Sequence, residues 1–140
     1  MTPTAHHTGV TVSDLDRSIR FYTELFGCRV ETRFSVEGPA LGDVVGSDGV
    51  SAQFAHLRSG DTRIELVEYD PAGRATGSQS LPAPGATHLA FDVEDVDAFL
   101  DELPDDVERL SEPRTTESGT RLVFVRDPDD TLVELLEASG

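Results

Sequence analysis

Two histidines and two glutamates recur at matching places in the two halves of this 140-residue chain. His7 and His88 stand 81 residues apart, and each opens a short segment in which apolar residues alternate with others. Glu65 and Glu134 stand 69 residues apart, in the segments Asp-Thr-Arg-Ile-Glu-Leu-Val-Glu and Asp-Thr-Leu-Val-Glu-Leu-Leu-Glu. Neutral imidazole and ionised carboxylate both bind divalent metal ions. The repeat therefore predicts a metal site to which both halves of a duplicated chain contribute.

A second pair of glutamates, Glu68 and Glu137, matches equally well, so the repeat alone does not select the ligands. Successive side chains of a strand point to opposite faces, which separates Glu65 from Glu68. Glu65 lies in the middle of its segment between apolar residues, whereas Glu68 lies near the end, and the second half repeats this contrast. The pattern favours Glu65 and Glu134 as the inward pair. The alternative is that the repeated residues are ordinary polar groups, paired or solvated.

The elements that must position these residues follow one order in both halves. Alternating apolar residues predict first strands over 7–12 and 88–93. A helix then follows, with Ser13 as the expected cap of the first helix and Gly27 as its stop. The apolar faces of the two helices consist of Leu15, Ile19, Tyr22 and Leu25, and of Val96, Phe99, Leu100 and Leu103. Three further strands are predicted in each half, over 29–36, 50–58 and 62–69, and over 107–111, 120–126 and 131–137.

These elements predict an α+β fold of two tandem βαβββ modules that form one domain over residues 1–140. Module one covers about 5–70, a linker rich in Pro and Gly covers 71–85, and module two covers about 86–138. One helix cannot cover both faces of a four-stranded sheet, so the modules are expected to share a core. The Gly-rich segment 37–49 has no counterpart in the second half and is predicted to be a loop that forms a flap over the site.

Composition limits the classes of partner. Acidic residues outnumber basic ones 27 to 11, and the net charge of -16 argues against nucleic-acid binding, which needs clustered cations. Apolar runs are too short to cross a membrane, and no secretion signal is apparent, so a cytoplasmic protein is expected. All 11 basic residues are Arg, which together with the acidic excess predicts a halophilic source. A high-GC genome is the alternative, although it does not account for the excess of acidic residues.

Several segments together resemble the vicinal oxygen chelate superfamily, which includes glyoxalase I, methylmalonyl-CoA epimerase, extradiol dioxygenases, fosfomycin-resistance enzymes and bleomycin-binding proteins. They are the run from His7 to Tyr22, Ile64-Glu65-Leu66, His88, and the run from Asp127 to Leu135. The resemblance implies an open, eight-stranded, barrel-like sheet around a central cleft. It also implies that His7, Glu65, His88 and Glu134 are the metal ligands.

The pattern of ligands is most similar to glyoxalase I and the epimerase. This resemblance implies a metal-dependent lyase or isomerase that moves a proton through a metal-stabilised enediolate. Glu134 is the predicted base, and Glu65 is the symmetric candidate. One divalent ion per site is implied, and Ni, Co, Zn, Mn or Fe suits nitrogen and oxygen ligands. The alternatives are an extradiol-type ring-cleaving dioxygenase and a metal-free protein that binds an antibiotic or toxin, and the complete set of four ligands argues against both.

The implied substrate is a small molecule with adjacent oxygens, such as the thiol adduct of a 2-oxoaldehyde or an acyl thioester. Glyoxalases that use glutathione tend to carry Arg four residues after the first ligand and Asn four after the second. Here those positions are Thr11 and Tyr69, which argues against glutathione itself. An anionic substrate would meet a negative protein, so we expect Arg33, Arg114 or Arg121 at the mouth of the site. The resemblance also implies a homodimer.

Three other residues have side chains capable of chemistry. His6 adjoins His7 but is expected on the opposite face of the strand and exposed to solvent, and His56 has no counterpart in the second half. Either one is a candidate for a supporting part in catalysis. The single cysteine, Cys28, is expected to be a small core residue, because no His or Lys is patterned to activate it.

Overall fold

The computed structural model describes residues 1–77 and 80–138, which fall into two compact units, Met1–Ala75 and Thr76–Gly140. The boundary between the units lies inside the predicted linker 71–85. Residues 78 and 79 of that linker, and residues 139 and 140 at the end of the predicted domain, lie outside the described residues. That the two units form a single domain stays a prediction.

The first unit contains one four-stranded sheet and two helices. Its elements are β1 (Thr8–Thr11), α1 (Leu15–Arg20) with a π-helical continuation (Phe21–Leu25), β2 (Arg29–Val36), α2 (Pro39–Val45), β3 (Ser51–Ser59) and β4 (Thr62–Asp70). The strand order is β1-β4-β3-β2. β1 runs parallel to β4, and the other neighbours are antiparallel. The last strand of the unit is therefore central, beside the first.

The described residues of the second unit repeat this arrangement with a single helix. Its elements are β5 (His88–Asp92), α3 (Val96–Glu102), β6 (Arg114–Thr115), β7 (Arg121–Arg126) and β8 (Leu132–Leu136). The strand order is β5-β8-β7-β6, with β5 parallel to β8. The predicted fold class is confirmed: the chain is α+β, with two βαβββ modules whose sheets are open. Within the part of the chain that the structure describes, no helix is both long enough and apolar enough to span a membrane.

The predicted strand over 107–111 is wrong. The strand that follows α3 is β6, which begins at Arg114, three residues after the end of the predicted strand. The stretch 107–111 instead pairs with β7 through a single bridge between Arg109 and Val125. Pro113 follows this stretch, and proline has no backbone N–H to donate to a strand ladder. The stretch therefore makes isolated backbone contacts rather than a continuous ladder.

The prediction that segment 37–49 is a loop is also wrong, because the segment contains α2. That it covers the site stays a prediction. Pro39 begins this helix at a position that needs no N–H donor, and Gly46 ends it in the left-handed conformation with φ of 73°. Leu41 is buried and packs with Val50, Ala52 and Val67. The helix is consequently part of the core of the first unit.

Aspartates rather than Ser13 begin the two repeated helices. The side chain of Asp14 accepts a hydrogen bond from the backbone N–H of Arg17 at 3.1 Å, and Asp95 accepts one from Ala98 at 3.0 Å. A carboxylate in this position satisfies a backbone donor that the first turn of a helix leaves free. The expected cap at Ser13 is therefore wrong by one residue. Gly27 follows the end of the first helix with φ of 69°, as its predicted stop.

The alternative glutamates of the repeat contact the helices. Oε1 of Glu68 accepts a hydrogen bond from the backbone N–H of Leu15 at 2.7 Å, and Oε1 of Glu137 accepts one from Val96 at 2.9 Å. Each carboxylate thus satisfies the first N–H of the helix in its own unit and meets the positive end of the helix dipole. Strand alternation then turns Glu65 toward the face of the sheet opposite α1.

We expect Glu68→Ala and Glu137→Ala each to lower the free energy of unfolding by about 1–2 kcal/mol, because the first N–H of a helix loses a charged acceptor. Urea denaturation followed by circular dichroism measures this. Glu117→Ala, in an exposed turn, is the matched control and should change the free energy by less than about 0.5 kcal/mol. Equal stability of all three variants would contradict the capping role.

Candidate metal centre

The first unit places His7 beside Glu65. Glu65 lies on β4, and Gly9 of β1 is its partner in the parallel ladder. His7 lies two residues before Gly9, and its Nε2 is 3.4 Å from Oε1 of Glu65. The side chain of Glu65 is only 15% exposed, so the carboxylate is largely removed from water while one oxygen faces an imidazole.

His56 completes this cluster and was missed as a member of it by the sequence analysis. It lies directly opposite Glu65 in the antiparallel ladder of β3 and β4, and its Nε2 is 2.8 Å from Oε2 of Glu65. The ligand atoms of His7, His56 and Glu65 all lie within 4.8 Å of one another. A signal was available, because pairing the predicted strands 50–58 and 62–69 around a tight turn at Gly60 sets His56 opposite Glu65.

His6 also lies beside this cluster, so the expectation that it sits on the opposite strand face from His7 is wrong. Its Nδ1 is 2.8 Å from Nδ1 of His7, and its ring centroid is 6.0 Å from that of His56. Both residues 6 and 7 precede β1, and the alternation of faces applies only within a strand. His6 is exposed, as expected.

The second unit holds a similar pair of one histidine and one glutamate. His88 begins β5, and its Nε2 is 3.2 Å from Oε1 of Glu134 on β8. The side chain of Glu134 is 16% exposed, which matches Glu65. The partner of Glu134 on β7 is Phe124, whose ring lies edge-on to His88 at 5.2 Å. The second unit therefore has an aromatic ring where the first has His56.

One guanidinium group, that of Arg63, contacts the segment that carries the first histidines. Glu31 accepts hydrogen bonds from Arg58 and Arg63, and Arg63 also donates to the backbone carbonyl of His6 at 3.2 Å. Hydrogen bonds from Arg63, which has the larger effect, and from Arg58 lower the pKa of Glu31. A lowered pKa keeps the carboxylate ionised as the pH falls, so these ion pairs persist below the ordinary titration range of glutamate.

Two of the three arginines expected at the mouth of the site lie elsewhere. Arg33 pairs with Asp16 at 2.9 Å, and Arg121 forms a two-pronged pair with Asp97 at 2.6 and 3.0 Å. Asp16 belongs to α1 and Asp97 to α3, so these arginines lie on the sheet faces opposite Glu65 and Glu134, and the expectation for them is wrong. The hydrogen bonds from Arg121 lower the pKa of Asp97. For Arg114, the expectation stays a prediction.

The donor chemistry of each pair fits a divalent cation. Two adjacent ligands of an octahedral ion with bonds of ~2.1 Å lie about 3 Å apart. The distances of 3.4 Å in the first unit and 3.2 Å in the second are close to this value. A second acidic group, Asp95, Asp97 and Glu137, is instead engaged in two helix N-terminal contacts and one arginine pair.

The sequence pattern of the Glyoxalase/Bleomycin resistance protein/Dioxygenase superfamily matches residues 4–135. The chain belongs to this superfamily. The resemblance to the vicinal oxygen chelate proteins is thereby confirmed.

Similar proteins in this superfamily include one named as an epimerase and one named as a probable lyase. A 2-epi-5-epi-valiolone epimerase from Actinomyces sp. is 32% identical, over 94% of this chain and 77% of the relative. A probable lactoylglutathione lyase from Vibrio parahaemolyticus is 30% identical, over 94% of this chain and 88% of the relative. The crystal structure of a glyoxalase family protein from Bacillus cereus has a TM-score of 0.85 and 27% identity, and the match covers 97% of this chain and 94% of that one.

Cys28 is a core residue, as expected from the sequence. It is 5% exposed, and burial raises the pKa of its thiol. A thiol reacts as the thiolate, so both effects slow its reaction with alkylating agents.

We expect iodoacetamide at pH 8 to label native Cys28 at least roughly tenfold more slowly than the urea-unfolded chain, because labelling must wait for local opening. Mass spectrometry of the intact protein measures the two rates. Native labelling as fast as in the unfolded chain would contradict the buried position, and a Cys28→Ser variant shows the background of labelling at other residues.

Proposed function

We propose that this protein is a divalent-metal-dependent lyase or isomerase of the glyoxalase or epimerase type. The observation that carries the proposal is that each unit sets one histidine and one glutamate side by side, at 3.4 and 3.2 Å, on the sheet face opposite α1 in the first unit and α3 in the second. Membership of the superfamily and relatives named as an epimerase and a probable lyase support the same assignment.

The proposed ligands of one ion per site are His7, Glu65, His88 and Glu134. Both pairs combine neutral nitrogen with anionic oxygen, a set that suits Ni, Co, Zn, Mn or Fe. Four such ligands leave positions on an octahedral ion for the adjacent oxygens of a substrate. In the first unit, the low exposure of Glu65 and its contacts with two imidazoles supply a carboxylate that is already oriented.

When bound, a divalent cation stabilises the negative charge that develops on oxygen as a carbon next to a carbonyl loses its proton. Glu134 is the proposed base, which takes this proton and returns it. Return of the proton to the neighbouring carbon makes the enzyme a glyoxalase-type lyase, whereas delivery of a proton to the opposite face of the original carbon by a second acid makes it an epimerase. Glu65 is the other carboxylate of the set and is proposed to remain a ligand throughout.

The proposed substrate is a small molecule with adjacent oxygens, either the thiol adduct of a 2-oxoaldehyde or an acyl thioester. Thr11 and Tyr69 stand where glutathione-dependent members of the family tend to carry Arg and Asn, so a substrate other than the glutathione adduct is favoured. We further propose a cytoplasmic homodimer, on the basis of family membership. The exposed apolar residues Val30, Phe34 and Val36 of β2 support a surface that a second copy covers.

We expect His7→Ala and Glu134→Gln each to weaken binding of Ni²⁺ or Co²⁺ by more than about a hundredfold, because each removes a direct ligand. Isothermal titration calorimetry measures the affinity, and elemental analysis after dialysis measures the retained metal. Glu137→Gln is the matched control: it changes a glutamate three residues further on that contacts the helix, and it should retain the metal. Unchanged metal binding in both ligand variants would refute the assignment.

We expect the protein loaded with Ni²⁺ or Co²⁺ to exchange the proton next to the carbonyl in one of two substrate classes. Methylmalonyl-CoA in deuterium oxide tests the epimerase, and methylglyoxal with a thiol tests the lyase, both followed by nuclear magnetic resonance. Glu134→Gln should reduce turnover by about 10²- to 10⁴-fold, as expected for removal of a base. Activity that survives both chelation and Glu134→Gln would show that these groups do not carry the reaction.

A further inference from the structure

We infer that His56 is a positioning residue, whose imidazole holds the second carboxylate oxygen of Glu65 and so determines which oxygen meets a divalent cation. The two oxygens of Glu65 face two different rings: Oε1 lies 3.4 Å from Nε2 of His7, and Oε2 lies 2.8 Å from Nε2 of His56. The inference rests on the proposed function, because it assigns to Glu65 a way of binding the metal.

The two distances indicate two different roles for the rings. A separation of 2.8 Å is that of a strong hydrogen bond, in which Nε2–H of His56 donates to the carboxylate. The longer separation from His7 is near the spacing of neighbouring ligands on one ion. Ligand carboxylates are commonly held by such an outer hydrogen bond, which restricts their orientation. His56 is therefore assigned to the outer bond, and His7 to the ion.

The surroundings of His56 hold its ring in place. The side chain is 12% exposed, and the edge of the ring meets Phe34 at 5.2 Å and 88°. Phe34 in turn stacks on Phe54 at 4.8 Å, and Thr32 is the cross-strand partner of His56 on β2. A hydrogen bond beside apolar rings is stronger than one in water, because fewer water molecules compete for its donor and acceptor.

The second unit lacks this hydrogen bond because Phe124 occupies the corresponding position opposite Glu134. A phenyl ring has no N–H or O–H to donate. Apart from His88, which already faces Glu134, the three remaining histidines of the sequence belong to the first unit. Glu65 and Glu134 are thus similarly exposed, but within its own unit Glu65 has a hydrogen bond to His56 that Glu134 does not have a counterpart for. Glu65 is suited to a fixed ligand, and Glu134 to a carboxylate that moves, as the proposed base must.

The test compares His56→Leu with His56→Gln in the full chain, using Co²⁺ as the probe. His56→Leu removes the donor and should weaken Co²⁺ binding by about ten- to a hundredfold, the usual effect of losing an outer partner of a ligand. It should also change the visible absorption of the bound Co²⁺, because the Glu65 carboxylate alters its mode of binding. His56→Gln keeps an N–H donor and should restore the affinity to within about threefold of the natural protein and restore its spectrum.

Gln53→Leu is the matched control, since it introduces the same side chain at an exposed position of the same strand. It should leave both affinity and spectrum unchanged. Thermal unfolding of each apoprotein checks that a loss of metal binding does not come from a loss of fold. If His56→Leu binds Co²⁺ with unchanged affinity and spectrum, the inference is wrong.

Two further results separate this inference from the proposed function. If His56→Gln is as impaired as His56→Leu although both are folded, the imidazole acts as a direct ligand and the positioning role is overturned. If the natural protein binds no Co²⁺, the proposed function itself fails. If the natural protein binds Co²⁺ and Glu65→Gln loses it while His56→Leu does not, the proposed function stands and only the role of His56 is lost.

Discussion

The last strand of each unit carries two carboxylates on opposite faces, and the separation of these faces is the constraint on which the rest of the structure depends. Glu68 and Glu137 cap the helices on one face, which leaves Glu65 and Glu134 on the other beside a histidine. A partly buried carboxylate needs hydrogen-bonding or charged partners to offset its lost hydration. Each glutamate has such a partner in its own unit, so one strand serves both the fold and the site.

The parallel pairing of the first and last strands brings histidine and glutamate together. β1 lies beside β4 and β5 beside β8, so residues about 50 positions apart in sequence become neighbours in each unit. The long connection that such parallel pairing requires includes α1 in the first unit and α3 in the second, together with the two antiparallel strands that follow each helix. The aspartates that cap these helices, and the glutamates that contact their first N–H groups, stabilise the helices in this connection.

Duplication explains the similar pairs, and divergence explains their differences. Both units retain one histidine and one glutamate at comparable distances, but the neighbouring strand presents His56 in one and Phe124 in the other. A symmetric arrangement would give the two carboxylates the same restraint. The apolar ring in place of a hydrogen-bond donor leaves Glu134 less restrained within its unit than Glu65 is, and the proposed roles of a mobile base and a fixed ligand rest on this difference.

Most of the fold could be predicted from the sequence, because alternating apolar segments that recur in the same order in both halves leave little freedom in element type and order. Predictions failed where packing, a proline or the true start of a strand overrode the local apolar pattern. Leu41 packs in the core and turns a Gly-rich stretch into α2, and the strand predicted at 107–111 gives way to β6 beyond Pro113. His6 lies beside His7 because both residues precede β1, where alternation no longer separates neighbours.

By itself, the sequence determined the repeat, the class of fold, the superfamily and the two sets of glutamates from which a site could be chosen. Only the tertiary structure decided which glutamates cap helices, and that His56 joins Glu65. The physical reason is that side-chain direction within a strand follows from local alternation, whereas contact between strands depends on register, and register is set by turns and packing across the sheet. The longer turn between β7 and β8 shows this, because it shifts the repeat and sets Phe124 opposite Glu134.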